Sequence, residues 1–250
     1  MAGEGWIVVT GGSRGIGAAT ARACARAGFD VCLSYLSDAD AARIVADDIT
    51  ALGRNVLTVK ANMGERADIE ALFEQVTADG RSLVGLVNNA GIIGARATVA
   101  EVEADVLHTV MNVNVVGVML CAQAALKRMS KRNGGDGGAI VNVSSAAATL
   151  GAAGEYVHYA ASKAAVDTFT LGLAQEAAAD AIRVNAVSPG FVDTEIHARA
   201  GAPGRLAKVA PTVPMQRVGT ADEVAAAIVW LLSDEASYVT GANLRIAGGR

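Results

Sequence analysis

The chain has 250 residues, of which 52% are apolar and 4% aromatic, and it contains 28 glycines. This length suits one large α/β domain, at the upper edge of what a single core supports. The 21 basic and 25 acidic residues give a net charge of −4, which argues against a nucleic-acid-binding protein because such proteins carry a basic face.

Short apolar runs alternate along the chain with longer segments of helical periodicity. The runs that predict strands span 6–10, 30–35, 55–61, 83–89, 139–145, 182–188 and 243–247. The segments that predict helices lie near 15–27, 38–52, 65–79, 101–131, 159–179 and 222–232. Strands this apolar do not fit a half-exposed sheet, so the pattern predicts an α/β fold with a doubly wound, seven-stranded parallel sheet covered by helices on both faces. We find no repeat and no linker, which predicts one domain over 1–250.

The sequence TGGSRGIG, residues 10–17, follows the first predicted strand and opens the first predicted helix. Gly11 permits a tight turn, Gly15 lets the backbone approach a diphosphate, and Gly17 brings the helix close to the strand. The spacing is GxxxGxG rather than GxGxxG, and no Gly-Lys-Ser/Thr follows as in a P-loop. The loop predicts dinucleotide binding, and a turn without a ligand is the alternative.

The end of the second predicted strand indicates which dinucleotide binds. A carboxylate usually stands there when the ribose is unphosphorylated, but this chain has Tyr35. Arg14 and the hydroxyls of Ser34 and Ser37 are suited to a 2′-phosphate. We therefore predict NADP(H), with NAD(H) the alternative because Asp38 is near enough to bind the ribose. Asp38 also fits the N-cap of the next helix.

The sequence NNAG, residues 88–91, ends the fourth predicted strand. In a doubly wound sheet this end and the glycine loop form the two lips of one crevice. We expect Asn88 to tie backbone to backbone and Asn89, Ala90 and Gly91 to pass close to the cofactor ribose. Asn62, after the third strand, is expected at the adenine edge.

Tyr159 differs from the other tyrosines, Tyr35, Tyr156 and Tyr238, because it alone is followed four residues later by a cation, Lys163. A phenol titrates near pH 10, and a nearby ammonium lowers its pKa by roughly 1–3 units, towards the range useful for proton transfer. The spacing predicts an acid–base pair on one helical face. An ordinary surface pair is the alternative.

Other polar residues are predicted in the same crevice. Ser144 and Ser145 end the fifth strand, where a hydroxyl can hydrogen-bond a carbonyl oxygen and stabilise developing charge. Asn114 lies in an apolar run and is suited to hold a water against the lysine. The alternatives are a strand cap for the serines and a satisfied core amide for Asn114.

Together these motifs resemble the short-chain dehydrogenase/reductase family along essentially the whole chain. The segments that carry the resemblance are TGGSRGIG, NNAG, 114–117, VSS, YAASK, VNAVSPG at 184–190 and YVTGANLRIAGG at 238–249. The resemblance implies a single Rossmann domain, a homotetramer or homodimer joined partly through the terminal segment, and NAD(P)-dependent carbonyl/alcohol interconversion. It implies a catalytic tetrad of Asn114, Ser145, Tyr159 and Lys163. The residues expected to bind the cofactor are Gly11, Ser13, Arg14, Gly15, Ile16, Gly17, Tyr35, Asn62, Asn89, Ala90, Gly91, Tyr159, Lys163, Pro189, Gly190, Val192 and Thr194.

The chain departs from the family pattern in two places. The spacing from Ser145 to Tyr159 is one residue longer than in many members, so we expect a bulge at 151–158, and Ser144 is an alternative catalytic hydroxyl. The usual terminal Asp-Gly-Gly is Ala247-Gly248-Gly249.

In the predicted mechanism Tyr159 donates a proton to a carbonyl oxygen fixed by Ser145, while the cofactor supplies hydride. A non-catalytic NAD(P)-binding protein is the alternative class, and a Rossmann methyltransferase fits poorly because it has no use for YAASK. The segment 192–218 is predicted to form a substrate lid.

The substrate is left open. The 3-oxoacyl-carrier-protein reductases are one possibility, for which the cluster Lys127, Arg128, Lys131 and Arg132 would dock the carrier. That cluster also suits a helix C-terminus, and Asp180 disfavours docking. The stretch EYVHYAASK is more similar to sugar dehydrogenases.

The cysteines Cys24, Cys32 and Cys121 lie far apart without CxxC spacing, which predicts buried thiols in a reducing compartment. We find no signal peptide and no apolar run near the roughly 20 residues of a membrane span. We therefore expect a cytoplasmic enzyme acting on small molecules, without nucleic-acid, membrane or metal partners.

Overall fold

A computed structural model describes residues 5–195 and 204–250. Within these ranges the strands are β1 (Trp6–Val9), β2 (Asp30–Tyr35), β3 (Val56–Lys60), β4 (Leu83–Asn88), β5 (Gly138–Val143), β6 (Ile182–Pro189) and β7 (Asn243–Ile246). They form one sheet in the order β3-β2-β1-β4-β5-β6-β7, with every pairing parallel. The predicted doubly wound, seven-stranded parallel sheet is confirmed.

The helices follow the predicted segments closely. They are α1 (Gly15–Arg26), α2 (Ala39–Ala51), α3 (Arg66–Thr77), α4 (Ala104–Met111), α5 (Gly117–Met129), α6 (Ala147–Leu150), α7 (Val157–Ala177), α8 (Arg205–Val209) and α9 (Ala221–Leu232). The helix predicted at 101–131 is divided by a π-helical turn, Asn112–Val116. The helix predicted at 159–179 begins earlier, at Val157.

The core lies in two layers because alternate strand residues face opposite sides of the sheet. Trp6 of β1 packs into the layer that contains Phe73 of α3. Its neighbour Ile7 packs into the other layer, with Ile49 of α2 and Ile228 of α9. Both faces of β1 are buried, which accounts for its continuous apolar run.

The crevice follows from the strand order. β1 pairs with β2 on one side and with β4 on the other, so the chain connections leave the sheet in opposite directions at this point. The carboxyl ends of β1 and β4 lie side by side, with Thr10 N donating to Val87 O at 3.0 Å. The loops after these strands therefore form the two lips of one opening, as expected for a switch point.

The helical stretch Ala104–Met129 corrects one expectation from the sequence. It is long and apolar enough, by length and composition alone, to cross a membrane, and 44% of its most apolar window is buried. Core helices pass the same test, and this stretch packs on β4, α3 and α7.

The cysteines agree with the sequence prediction. Cys24, Cys32 and Cys121 are buried free thiols. Burial raises the pKa of each to about 12, because the thiolate loses its solvation in the core.

Candidate active site

Two connected cavities open at the crevice. The first, which we call the glycine-loop groove, has a volume of about 470 Å³ and is bounded by the loop after β1, the end of β2 and the segment after β4. The second, which we call the tyrosine cavity, has a volume of about 210 Å³ and contains Tyr159. Ile16, Asn89, Gly91 and Thr194 line both, so the two form one continuous site.

Most of the residues predicted to bind a cofactor line this site. In the glycine-loop groove they are Gly11, Ser13, Arg14, Gly15, Ile16, Tyr35, Asn62, Asn89, Ala90, Gly91 and Thr194. In the tyrosine cavity they are Ile16, Asn89, Gly91, Tyr159, Lys163, Pro189, Gly190, Val192 and Thr194. Gly17 lies beneath the loop and lines neither cavity. The predicted lid, 192–218, borders the tyrosine cavity, and its residues 196–203 lie outside the described residues.

The glycine loop is built for close backbone approach. Gly11 has a φ of +63°, which favours glycine, and a Cβ on Gly17 would lie 2.2 Å from Gly11 O. The N-cap of α1, Arg14, has extended backbone and makes no side-chain cap hydrogen bond. The first N–H groups of α1 therefore have no side-chain cap, which fits a diphosphate anion.

The two asparagines of NNAG hold different parts of the fold. Asn89 ties backbone to backbone, since its Nδ2 donates to Thr10 O at 2.9 Å and to Gly11 O at 3.1 Å. Asn88 is buried, and its Nδ2 donates instead to Asn142 Oδ1 at 2.9 Å on the neighbouring strand. Asn88 Nδ2 also donates to a main-chain oxygen, Val118 O at 3.4 Å, so this side chain ties β4 to α5 and β5 and not to the glycine loop.

The groove end near β2 holds a charged cluster. Arg14 pairs with Asp38 and, at 3.3 Å, with Glu195. Asp38 also caps α2, because its Oδ1 accepts from Ala41 N at 2.9 Å. The hydroxyl of Ser34 is buried and accepts from Gly11 N at 3.1 Å, so it anchors the glycine loop.

Tyr159 and Ser145 are hydrogen-bonded to each other in the tyrosine cavity. Burial raises the pKa of Tyr159, and the hydrogen bond with Ser145 offsets part of this. The expectation that the lysine lowers the pKa of this phenol below its ordinary value is wrong in direction, because burial is the larger effect.

Lys163 is buried beside the tyrosine. Its Nζ donates to Val143 O at 2.7 Å and lies 5.9 Å from the centroid of the Tyr159 ring. Burial lowers the pKa of Lys163 to about 8, while the charge of Asp167 opposes this shift. Its positive charge is therefore lost in mildly alkaline solution, well below the ordinary lysine range.

Asn114 lies behind the cavities and lines neither. It sits in the π-helical turn, where its Oδ1 accepts from Ile92 N at 2.9 Å and its Nδ2 donates to Ile92 O and Ser162 Oγ. A Cβ on Gly91 would be 3.2 Å from Asn114 Oδ1 and 3.3 Å from Lys163 Nζ. The asparagine amide is satisfied by the protein, and a glycine separates it from the lysine.

Sequence comparison agrees with this geometry. A family model described as enoyl-(acyl carrier protein) reductase matches residues 11–250. The chain is 50% identical over 243 residues to the uncharacterized oxidoreductase YgfF of Escherichia coli (strain K12), covering 97% of this chain and 98% of that protein. The chain belongs to the short-chain dehydrogenase/reductase family. It is an NAD(P)-dependent oxidoreductase, as predicted.

Other members of this family match over nearly the full length. Cis-4-hydroxycyclohexanecarboxylate dehydrogenase of Sinomonas cyclohexanicum is 39% identical over 97% of this chain and 94% of its own length. At 36% identity over 97% of this chain are glucose 1-dehydrogenase 2 of Bacillus subtilis and a 3-oxoacyl-[acyl-carrier-protein] reductase of Synechocystis, covering 93% and 95% of those proteins. A solved short chain dehydrogenase from Burkholderia cenocepacia, in complex with NADP, has a TM-score of 0.90 and 35% identity over 99% of this chain and 98% of that one.

The segment 151–158, where we expect a bulge, has an irregular backbone. Between α6 and α7, Gly151, Ala152 and Gly154 all have positive φ, at 77°, 48° and 74°. Ser145 and Tyr159, on either side of this segment, line the same cavity.

Sequence reasoning missed Asp167. It follows Lys163 by one further helical turn of α7, and its carboxyl lies beside the Ser144 hydroxyl and the Asn243 amide. Burial raises the pKa of this carboxyl. The signal was available, because Tyr159, Lys163 and Asp167 continue one four-residue spacing. Ser144 also donates to Lys163 O at 3.1 Å, so the alternative catalytic serine supports the lysine instead of contacting Tyr159.

Sequence reasoning also missed one wall of the tyrosine cavity, which we call the arginine wall. It consists of Tyr156, Phe191, Arg205 and Arg250. These side chains come from the start of α7, the segment after β6, α8 and the segment after β7. No local pattern in the sequence joins them.

The basic cluster considered for carrier docking is partly neutralised. Arg132 Nε donates to both carboxylate oxygens of Asp180, at 2.7 and 2.9 Å, and Arg128 Nη1 donates to Ala124 O in the last turn of α5. His158 is buried and bonds Ile93 O at 3.1 Å, in a packing role. In the described ranges no group of three or more His, Cys, Asp or Glu side chains is arranged to hold a metal ion.

Proposed function

We propose that this enzyme interconverts a carbonyl and a secondary alcohol, with Tyr159 as the general acid and base. The observation that carries the proposal is that Tyr159, Ser145 and Lys163 line one small cavity continuous with a groove fitted to a diphosphate. When bound, a nicotinamide supplies or accepts the hydride. Tyr159 donates a proton to the substrate oxygen, and Ser145 holds that oxygen.

Lys163 and Asn114 take supporting roles in this proposal. The ammonium of Lys163 would donate to a ribose hydroxyl of the cofactor, and its charge would stabilise the phenolate that remains after Tyr159 gives up its proton. Asn114 holds Ile92 and Ser162, which fixes the backbone against which the lysine rests. Because burial keeps the phenol protonated at neutral pH, the proposal favours carbonyl reduction there and alcohol oxidation at alkaline pH.

The test is NADPH oxidation with a panel of aldehydes, ketones and acyl thioesters, followed by absorbance. Tyr159→Phe is expected to lower turnover by about 10²- to 10⁴-fold, because the phenolic proton is lost, while calorimetric affinity for the cofactor stays within a few fold. Turnover retained by Tyr159→Phe would reject the assignment. No oxidation of any substrate by the wild-type protein would favour a non-catalytic NAD(P)-binding protein.

We propose NADP(H) as the preferred cofactor. Tyr35 stands at the end of β2, where NAD-binding proteins usually carry a carboxylate, and Arg14 lines the adjoining groove. The solved Burkholderia relative was crystallised with NADP, which supports the proposal. Calorimetric titration with both cofactors tests it, and tighter binding of NAD would overturn it.

We propose that the enzyme is a cytoplasmic homotetramer or homodimer. β7 is an edge strand of the described sheet, and Leu244 on it, Trp230 of α9 and Tyr238 between them are exposed apolar side chains. Pairing between subunits would cover them. The buried free thiols fit a reducing compartment. We also propose that 192–218 covers the substrate.

For the substrate, the family relatives include enzymes named for a cyclic hydroxy acid, glucose and a 3-oxoacyl carrier protein. The ion pair between Arg132 and Asp180 disfavours carrier docking at that cluster. A compact alcohol or ketone that fits a cavity of about 210 Å³ is the substrate class that we propose.

A further inference from the structure

The arginine wall is the most strongly charged part of the tyrosine cavity. Two guanidinium groups lie over the ring of Phe191, with Arg250 Cζ 4.7 Å and Arg205 Cζ 5.7 Å from the ring centroid. Stacking on one ring fixes both cations at the cavity surface. Neither contacts the glycine-loop groove, so they stand apart from the residues suited to the cofactor phosphates.

Positive charge exceeds negative charge at this wall. Arg205 Nη1 donates to Glu155 Oε1 at 2.9 Å, and Arg96 pairs with the same oxygen at 3.1 Å. Arg245 donates to the backbone oxygen of Arg250 at 2.6 Å. Among the described residues of this cluster, one side-chain carboxylate lies among four guanidinium groups, and both of its oxygens accept from Arg205. In a chain of net charge −4, such a local excess favours an anionic ligand.

Two buried polar atoms of the wall have no hydrogen-bond partner within the described part of the chain. They are the hydroxyl of Tyr156, a residue only 5% exposed, and Nε of Arg205. A buried polar group without a partner costs free energy, and such groups in a ligand cavity are normally satisfied by the ligand. Tyr156 and Arg205 both line the cavity, so a ligand bound there is the candidate partner for these two atoms.

The remaining surface sets the size and polarity of that ligand. Ala146, Ala147, Leu150 and Ala152 form an apolar surface in the same cavity, and Tyr159 lies in the first turn of α7, which Tyr156 caps. The volume of about 210 Å³ is somewhat larger than an apolar cavity of about 150 Å³ that holds benzene. Residues predicted to bind the cofactor line the same cavity, so the substrate would share this volume with the nicotinamide, and a six-membered ring with two substituents is near the upper size limit.

We propose that the substrate is a compact hydroxy or oxo acid, whose carboxylate is bound by Arg250, Arg205 Nε and the hydroxyl of Tyr156. Its apolar body lies against the alanine and leucine surface, and its carbonyl or alcohol carbon faces Tyr159. This inference deepens the proposed function and rests on it for the reacting end. The carboxylate site itself is testable by binding alone.

The binding test compares cyclohexanecarboxylate with cyclohexanecarboxamide by calorimetry, with and without saturating NADP. Neither probe carries a reacting hydroxyl or ketone, so the result does not depend on catalysis. We expect the carboxylate to bind about 10- to 100-fold more tightly than the amide, as for hydrogen bonds to a charged group, and the difference to shrink as salt is raised. Equal affinities for the two probes would overturn the inference.

Variants of the arginine wall test whether its side chains bind the carboxylate. Arg250→Gln is expected to remove most of the preference for carboxylate, about 10-fold or more, and Arg250→Lys to keep part of it. Tyr156→Phe is expected to weaken carboxylate binding about 3- to 10-fold without lowering the melting temperature, because the hydroxyl has no partner among residues 5–195 and 204–250. The matched control is Arg96→Gln, which removes one charge of the same cluster without touching the cavity, and should change affinity less than about 3-fold. An Arg250→Gln variant no weaker than the control would overturn the inference.

A turnover experiment distinguishes a failure of this inference from a failure of the proposed function. The substrates are cis-4-hydroxycyclohexanecarboxylate and its methyl ester, each with NADP. We expect kcat/KM for the acid to exceed that for the ester about 10-fold or more, mainly through KM, and this advantage to vanish in Arg250→Gln. Equal turnover of acid and ester contradicts the carboxylate site and leaves the proposed function intact. Arginine-dependent binding of cyclohexanecarboxylate without turnover of any substrate supports the site and contradicts the proposed function.

Discussion

The two halves of the crevice are made in different ways. The glycine-loop groove is shaped by backbone, with Gly11 and Gly17 packed against each other and Asn89 holding two loop carbonyls. The tyrosine cavity is lined by side chains from elements that are far apart in the chain. The pKa of its lysine depends on burial and on a neighbouring carboxylate. The groove is therefore sensitive to volume, whereas the cavity is sensitive to charge and pH.

The glycine-loop groove and the tyrosine cavity also differ in whether their charges depend on pH. The groove offers uncapped N–H groups of α1, whose partial charges do not titrate. The cavity is lined by Tyr159 and Lys163, and Asp167 lies one helical turn beyond the lysine. Burial displaces the pKa values of all three side chains. A substitution that adds volume should damage the groove at every pH, whereas one that removes a charge should damage the cavity only in part of the pH range.

The largest effect is expected from Gly17→Ala. The new Cβ would lie 2.2 Å from Gly11 O and 2.5 Å from Asn89 Nδ2, so the loop must move away from its position beside β4. We expect cofactor affinity to fall by about 100-fold or more and stability to fall by about 1–3 kcal/mol, as in other overpacked sites. Calorimetry and thermal unfolding measure the two effects.

The control for this prediction is Gly172→Ala, on the surface of α7. No atom lies within 4 Å of a Cβ at that position. Because alanine is the better helix former, the control is expected to gain up to about 1 kcal/mol and to bind cofactor normally. Normal cofactor binding by Gly17→Ala would contradict the view that the groove depends on volume.

A smaller, pH-dependent effect is expected from Asp167→Asn. Lys163 carries its charge below a pKa of about 8, and the carboxylate of Asp167 raises that pKa. Removing this carboxylate lowers the pKa of Lys163 further, so cofactor affinity should begin to fall at lower pH than in the wild type. At pH 8 we expect a loss of about 3- to 10-fold that disappears near pH 6, where the lysine is protonated in both proteins.

Calorimetry from pH 6 to pH 9 tests whether cofactor affinity begins to fall at lower pH in Asp167→Asn than in the wild type. Asn243→Ala is the control, because it removes a neutral hydrogen-bond partner of the same carboxyl and leaves the charge in place. Its alkaline fall in affinity should coincide with that of the wild type. A pH-independent loss in Asp167→Asn would mean that the carboxylate acts through structure and not through the charge of Lys163.

The difference between the glycine-loop groove and the tyrosine cavity also explains which features could be predicted from the sequence. The strands, most helix limits and the glycine loop were predictable because each depends on residues close together in the chain. The π-helical turn at 112–116 was not predictable, because no proline or glycine in NVNVV marks an interruption of the helix. The roles of Asn88 and Asn89 depend on which neighbours each side chain meets, such as Asn142 across the sheet, and these contacts are set by tertiary structure.

In the tyrosine cavity, sequence spacing identified the pairing of Tyr159 with Lys163 but not the sign of the pKa shift of the phenol. Spacing indicates which charges are near, whereas desolvation depends on burial by the whole fold. The arginine wall was beyond prediction for a related reason. Arg205 and Arg250 are far from Tyr156 in the chain, and their meeting at Phe191 exists only in the folded protein.

The smallest effect is expected at the ion pair between Arg14 and Asp38, two charged side chains that line the glycine-loop groove. Asp38→Asn keeps the α2 cap, since asparagine also accepts from Ala41 N, but it removes the charge that holds Arg14. The arginine is then freer to meet a 2′-phosphate, so the ratio of NADP to NAD affinity should rise by about 3- to 10-fold. Both side chains are partly exposed, which keeps the effect of the pair small. Arg14→Gln should change the ratio in the opposite direction. If neither variant alters the ratio, selectivity resides elsewhere in the groove, and Ser37 beside Tyr35 becomes the residue to test.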